Sequence, residues 1–206
     1  RIRSCHVTGS FQTRDNQRPK LSVREALSNP QSDFARVVLP PMSFAHEQDK
    51  IKNRWPNAEK FIRERGLNEV FGPKAAPVGL VLQGGMYNGV IRALQRLGLA
   101  DIWGNTQVPL YVLNVTYPLV SSEFLEFCEG KDQVLVIEEG QPEFIEQQLS
   151  TFLYRAGSSV KLRGKDILPM AGEYTGQVML DSIAAFLRQA APEMLPATVR
   201  APNDDK

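Results

Sequence analysis

Hydrophobic and polar positions divide the chain near Pro77. Before it the periodicity is weak. Val37-Val38-Leu39 is a short apolar run halted by Pro40-Pro41, where a helix cannot continue. Ser43 is placed to cap a helix running to about Arg54, and a second helix from Pro56 would turn Ala58, Phe61 and Ile62 inward before stopping at Gly66. Phe71–Pro77 reads as a linker. After Pro77, apolar runs alternate regularly with helical spacing. Val78–Leu82 predicts a buried strand ending at Gly84-Gly85, and Val90, Leu94 and Leu97 then recur at helical intervals. Leu110–Val115 is a second strand, followed by a helix capped by Ser121 or Ser122 and holding Phe124, Leu125 and Phe127. Gln133–Ile137 is apolar at almost every position, as a central strand covered on both faces must be. A helix from Pro142 carries Phe144, Ile145, Leu149, Phe152 and Leu153. Val160–Leu162 is a short edge strand, and Thr175 caps a last helix with Val178, Ile183, Ala184 and Leu187 on its apolar stripe. Strands alternating with helices imply βαβ units, a mainly parallel sheet and a three-layer α/β/α sandwich. The expected division is an N-terminal arm over residues 1–76, the α/β domain over 77–192 and a tail over 193–206.

Charge refines this picture only slightly. The net formal charge is +1, but residues 1–80 hold 14 Lys/Arg against 8 Asp/Glu, and the remainder holds 10 against 15. The basic residues of the arm are scattered singly and no aromatics are interleaved among them, which argues against nucleic-acid binding. The arm is expected to lie on an acidic surface. No apolar run reaches the ~20 residues of a membrane span, and no charged leader with an apolar core opens the chain. Two distant cysteines, Cys5 and Cys128, suit a reducing cytoplasm better than a disulfide scaffold or a cluster site. The opening at Arg1 and the polar end Pro202–Lys206 lead us to expect a piece of a longer polypeptide.

Candidate chemistry gathers where predicted strands end. Gly84-Gly85-Met86-Tyr87-Asn88-Gly89 turns a strand into a helix and can present backbone N–H groups to an anion. It is neither GxGxxG nor a phosphate loop, and a tight turn needing glycine is the competing reading. Tyr117 follows the second strand. Glu138-Glu139 ends the third, where paired carboxylates can serve as acid and base or hold a cation. Equally, they can simply favour the following helix N-terminus. His6 and His46 both fall in the arm, so a nucleophile–histidine arrangement has little support, and Cys5-His6 with His46 fits no common metal spacing. Gly84, Gly85, Tyr87, Asn88, Tyr117, Glu138 and Glu139 are therefore expected along one ligand-facing or domain-facing edge, since ligands approach open α/β sheets at the carboxyl ends of parallel strands. A flavodoxin-like small-ligand domain using the glycine turn, or a pure interaction module, are the rival readings.

One resemblance carries further. Gln133–Leu149, with Glu138-Glu139-Gly140-Gln141-Pro142 at its centre, resembles a segment of indolepyruvate:ferredoxin oxidoreductases. Val115-Thr116-Tyr117-Pro118-Leu119, Leu168–Tyr174, and the arm's Cys5-His6-Val7, Asp15-Asn16, Arg18-Pro19 and Arg54-Trp55-Pro56 are similar to other stretches of that family. Many of its members have basic residues where Gly140-Gln141 stand here, so no basic contact carries over. The resemblance implies a transketolase C-terminal-like domain with a mixed sheet of about five strands. It also implies a parent enzyme that decarboxylates an aryl-pyruvate on thiamine diphosphate and magnesium. Electrons would pass through iron–sulfur clusters to ferredoxin, and coenzyme A would take the acyl group. The Gly-Asp-Gly…Asn-Asn magnesium motif and cluster cysteines are missing from this sequence, so the expected role is structural, with no cofactor or catalytic residue in this chain and the enzyme's other domains as partners.

Overall fold

The computed structural model describes residues 39–197. They divide into a helical unit up to Ala58 and an α/β unit from Glu59 onward. The helical unit holds α1 (Met42–Asp49) and a π-helical turn, Lys50–Arg54; α2 (Trp55–Glu64) begins there and belongs to the α/β unit from Glu59. Ser43 lies inside α1 and caps nothing; the N-cap position is Pro41. Pro56 follows the π-helical turn within this continuous helical run, and its missing N–H removes one backbone hydrogen bond there. Of the residues expected inward, Ile62 is buried but Phe61 is exposed, with the Arg65 guanidinium 5.6 Å over its ring.

The α/β unit is built on one five-stranded sheet: β1 (Glu69–Phe71), β2 (Val78–Gln83), β3 (Leu110–Leu113), β4 (Gln133–Ile137) and β5 (Lys161–Arg163), in spatial order β1-β3-β2-β4-β5. All neighbours run parallel except β1, which pairs antiparallel with β3. The mixed α/β/α sandwich is as the sequence implies. β2 takes the middle of the sheet and β4 the interior place beside it, with Val134–Ile137 buried throughout. β5 is at the edge, as expected. β1 falls within residues 1–76, which the sequence pattern assigns to an arm, so the sheet begins at residue 69.

Alternation along the strands sends side chains to two cores. On one face α3 (Tyr87–Arg96) and α6 (Gly176–Ala190) cover Leu80, Leu82, Val112, Leu135 and Ile137. On the other, α4 (Ser121–Cys128) and α5 (Phe144–Arg155) cover Val81, Tyr111, Leu113, Val134 and Val136. Gly79 makes the second core possible. A Cβ there would lie 2.7 Å from the Phe127 ring and 3.0 Å from the Lys131 chain. Lys131 is buried, its ammonium 4.7 Å over the Phe127 ring and donating to the Lys74 carbonyl. Thr175 caps α6 by accepting from the Val178 N–H, whereas no serine side chain caps α4. After α6, Leu195 returns to the first core, which therefore extends into the expected tail.

Candidate functional site

Because β2, β3 and β4 are parallel and in register, their carboxyl ends share one edge: Gln83 stands opposite Leu113, and Leu82 opposite Ile137. The segments that follow, from Gly84, Asn114 and Glu138, are thereby brought together. Gly84 packs so closely on the β3 end that a Cβ would meet the Asn114 side-chain oxygen at 2.5 Å. The Glu139 N–H donates to the Gln83 side chain at 3.2 Å. Gln83, Tyr117 and Glu138 line an open cleft of about 780 Å³ at this edge, with Phe144, Gln148 and Arg155 of α5 also in its wall. Tyr117 and Phe144 are both largely exposed there. The peptide bonds before Pro118 and Pro142 are cis.

The two glutamates serve different neighbours. Glu138 is 6% exposed, and its carboxylate accepts the N–H groups of Ile145 and Glu146 at 3.0–3.1 Å, so it caps the first turn of α5. Burial pushes its carboxyl above the ordinary value, opposed by those N–H bonds and by Lys165. Glu139 instead accepts the Tyr174 N–H at 2.9 Å. Lys165 joins the two segments: its ammonium donates to the Glu138 carbonyl and, at 2.6 Å, to the Tyr174 hydroxyl, which donates onward to the Pro169 carbonyl. Burial lowers the Lys165 pKa, while Glu138, Glu146, Glu143 and Glu139 work to raise it. Burial, with Glu139, Glu138 and Glu146 nearby, pushes the Tyr174 phenol up to about 12.

Lys165 is the residue that sequence reasoning passed over. A single lysine in a loop after a short edge strand carries no motif; its partners are 9 and 27 residues away. Of the predicted edge residues, Tyr117 and Glu138 line the cleft, while Gly84 and Glu139 brace it from behind. Gly85 and Asn88 are exposed beyond it. Tyr87 points elsewhere: its ring packs on Phe71 at 5.2 Å, and its hydroxyl lies 3.1 Å from where a Cβ on Gly104 would stand. Cys5 and His6 lie outside the described residues, and among the described residues no group of three His, Cys, Asp or Glu is placed to hold a metal. No helix among them is long and apolar enough to cross a membrane.

The glutamate pair of this edge is turned toward the domain's own backbone. The pyrimidine ring of a thiamine diphosphate needs a carboxylate within reach, and Glu138 is buried against the first turn of α5, while Glu139 accepts the Tyr174 N–H. What remains is a mixed α/β/α domain whose carboxyl edge is wired internally and presents aromatics and amides outward.

Residues 68–188 match the family model of the indolepyruvate oxidoreductase domain, and the chain belongs to that family. It is 30% identical over 146 residues to the indolepyruvate oxidoreductase subunit IorA of Pyrococcus abyssi, covering 68% of this chain and 22% of the relative. The IorA subunit of Thermococcus kodakarensis is 31% identical over 61% of this chain and 18% of its own length. That of Methanothermobacter thermautotrophicus is 32% identical over 75% and 24%. The chain thus spans about a fifth of the curated relatives it matches. A 2-oxoglutarate:ferredoxin oxidoreductase from Magnetococcus marinus is 23% identical over 57% of this chain and 19% of its own, with a TM-score of 0.41.

Proposed function

We propose that this chain is a non-catalytic structural domain of a cytoplasmic, thiamine-diphosphate-dependent indolepyruvate (aryl-2-oxoacid):ferredoxin oxidoreductase. Its carboxyl sheet edge would face the cofactor-bearing domains of that enzyme. The parent would decarboxylate its 2-oxoacid on thiamine diphosphate and magnesium, send electrons through iron–sulfur clusters to ferredoxin and release an acyl-CoA. The observation that carries the reading is the use made of the Glu138-Glu139 pair. Glu138 is buried against the first turn of α5 and Glu139 accepts the Tyr174 N–H, so the pair braces the edge from within, with Tyr117 and Phe144 facing outward. Aromatic residues such as these are enriched at interface cores relative to the rest of a protein surface. Such an edge would hold neighbouring domains in place and shape the approach of substrate or coenzyme A.

The test is Tyr117→Asp in the full parent enzyme. A charge at a position 70% exposed in the chain should leave the chain's own stability within about 0.5 kcal/mol. In the parent the same charge is desolvated, and indolepyruvate-dependent dye reduction should fall by about tenfold or more. Unchanged activity with unchanged stability would sink the proposed placement of this edge.

A further inference from the structure

A second outward-facing feature lies apart from the cleft. Between α3 and β3 the chain makes a turn at Asp101–Asn105, bounded by a bridge from Ala100 to Thr106. At its tip Ile102 and Trp103 are 81% and 82% exposed. Single exposed hydrophobics are ordinary on protein surfaces, but two adjacent large ones on a rigid mount are not.

The rigidity comes from Asp101. One carboxylate oxygen accepts the N–H groups of Trp103 and Asn105 at 2.8 and 2.9 Å, and the other accepts the Asn105 amide at 2.7 Å. The Asp101 carbonyl is held by the Gln95 amide of α3 at 2.7 Å. Tyr87, its ring tilted against Phe71, brings its hydroxyl up to Gly104, which adopts φ +86°. No part of this bracing buries Ile102 or Trp103. It fixes the backbone that carries them, so the loop-ordering part of the cost of docking is already met in the free domain.

We infer that Ile102 and Trp103 form an anchor that docks into an apolar socket on the part of the parent oxidoreductase lying outside this chain. This rests on the proposed reading of the chain as one domain of a larger enzyme. The occupant follows from proportion: the chain covers only 18–24% of its relatives, so most of such a parent is available to supply the socket. Tryptophan is the side chain most enriched among residues that dominate interface energetics, and its pairing with a neighbouring aliphatic gives the anchor breadth.

Hydroxyl-radical footprinting, read residue by residue in the full parent enzyme and in the 206-residue chain, tests the anchor. Trp103 should oxidise rapidly in the chain and about tenfold or more slowly in the parent, as a desolvated anchor would. Tyr117 and Phe144 serve as the internal reference. If they are protected in the parent and Trp103 is not, the anchor is wrong and the domain reading stands. If none of the three is protected, the domain reading falls with it. Protection of Trp103 in the chain alone, rising with its concentration, would assign the surface to a second copy and overturn the inference. In parallel, Trp103→Ala should leave the melting of the chain unchanged yet make this domain protease-sensitive at lower temperature in the parent, with Trp103→Phe intermediate. Equal behaviour of wild type and Trp103→Ala in the parent would also overturn it.

Discussion

At the scale of single residues, the arrangement around Lys165 decides more than the glutamate pair it serves. Lys165 supplies the positive charge among Glu138, Glu139, Glu143 and Glu146 and bridges two loops through the Glu138 carbonyl and the Tyr174 hydroxyl. Replacing it by Met leaves those carboxylates without their counter-charge and the carbonyl without its donor. Thermal or urea unfolding of Lys165→Met should show a loss of about 1–3 kcal/mol. Tyr174 gives a pH signature. Its phenol sits at about 12 when folded against 10.0 as the ordinary value. The raised group contributes stability that is complete below pH 10 and is lost as pH rises through 12. Cys128, pushed to about 12 by burial, acts in the same sense from pH 9 upward. Lys165 and Lys131, whose pKa values burial lowers, act in the opposite sense, so the check is the difference: between pH 10 and 12 the urea midpoint of wild type should fall more than that of Tyr174→Phe. A Tyr174→Phe profile parallel to wild type would show that the network does not hold the phenol protonated.

At the scale of elements, burial outweighs surface charge by a wide margin. Leu135 on β4 is fully buried, and Leu135→Ala should cost about 2–5 kcal/mol through lost burial and the cavity left behind. The Arg63–Glu126 ion pair joins α2 to α4 at 3.3 Å, but both partners are more than half exposed, and Glu126→Gln should cost under about 1 kcal/mol. Gly79→Ala reverses the usual benefit of removing a glycine. The added methyl meets the Phe127 ring, and the overpacking should cost about 1–3 kcal/mol. Chemical denaturation of the three variants at pH 7 checks the order. The same contrast explains what could be read from sequence. β2 and β4 announce themselves because strands covered on both faces are apolar throughout. β1 does not: it is three residues long, pairs on one side only and leaves Glu69 and Val70 exposed. The Ser43 and serine caps failed because a polar residue near a proline or an apolar run marks a helix start only to within a turn. The glutamate pair was legible as a strand end meeting a helix start. Its connection to Lys165 and Tyr174 was not, because only the folded sheet brings those loops together.

At the scale of the whole molecule, the question is whether so braced an edge can still take a cofactor. Thiamine-diphosphate chemistry needs a divalent cation to hold the diphosphate and a carboxylate to hydrogen-bond the pyrimidine ring. Among the described residues no metal-holding group is assembled, and Glu138 is buried as the cap of α5. Recruiting Glu138 would strip two N–H groups from the α5 terminus, each costing about 1–3 kcal/mol if left buried and unpaired. A single new contact to a ligand cannot offset that. The 206-residue chain should therefore bind thiamine diphosphate with magnesium no tighter than about millimolar, roughly −4 kcal/mol. It should show no indolepyruvate-dependent reduction of a dye. Titration calorimetry measures the first and a viologen assay the second. One-to-one binding in the micromolar range would mean that the edge rearranges, and amide exchange in the first turn of α5 would then accelerate on adding the cofactor. Neither change is expected, because the capping of α5 by Glu138 is part of what holds the sheet edge together.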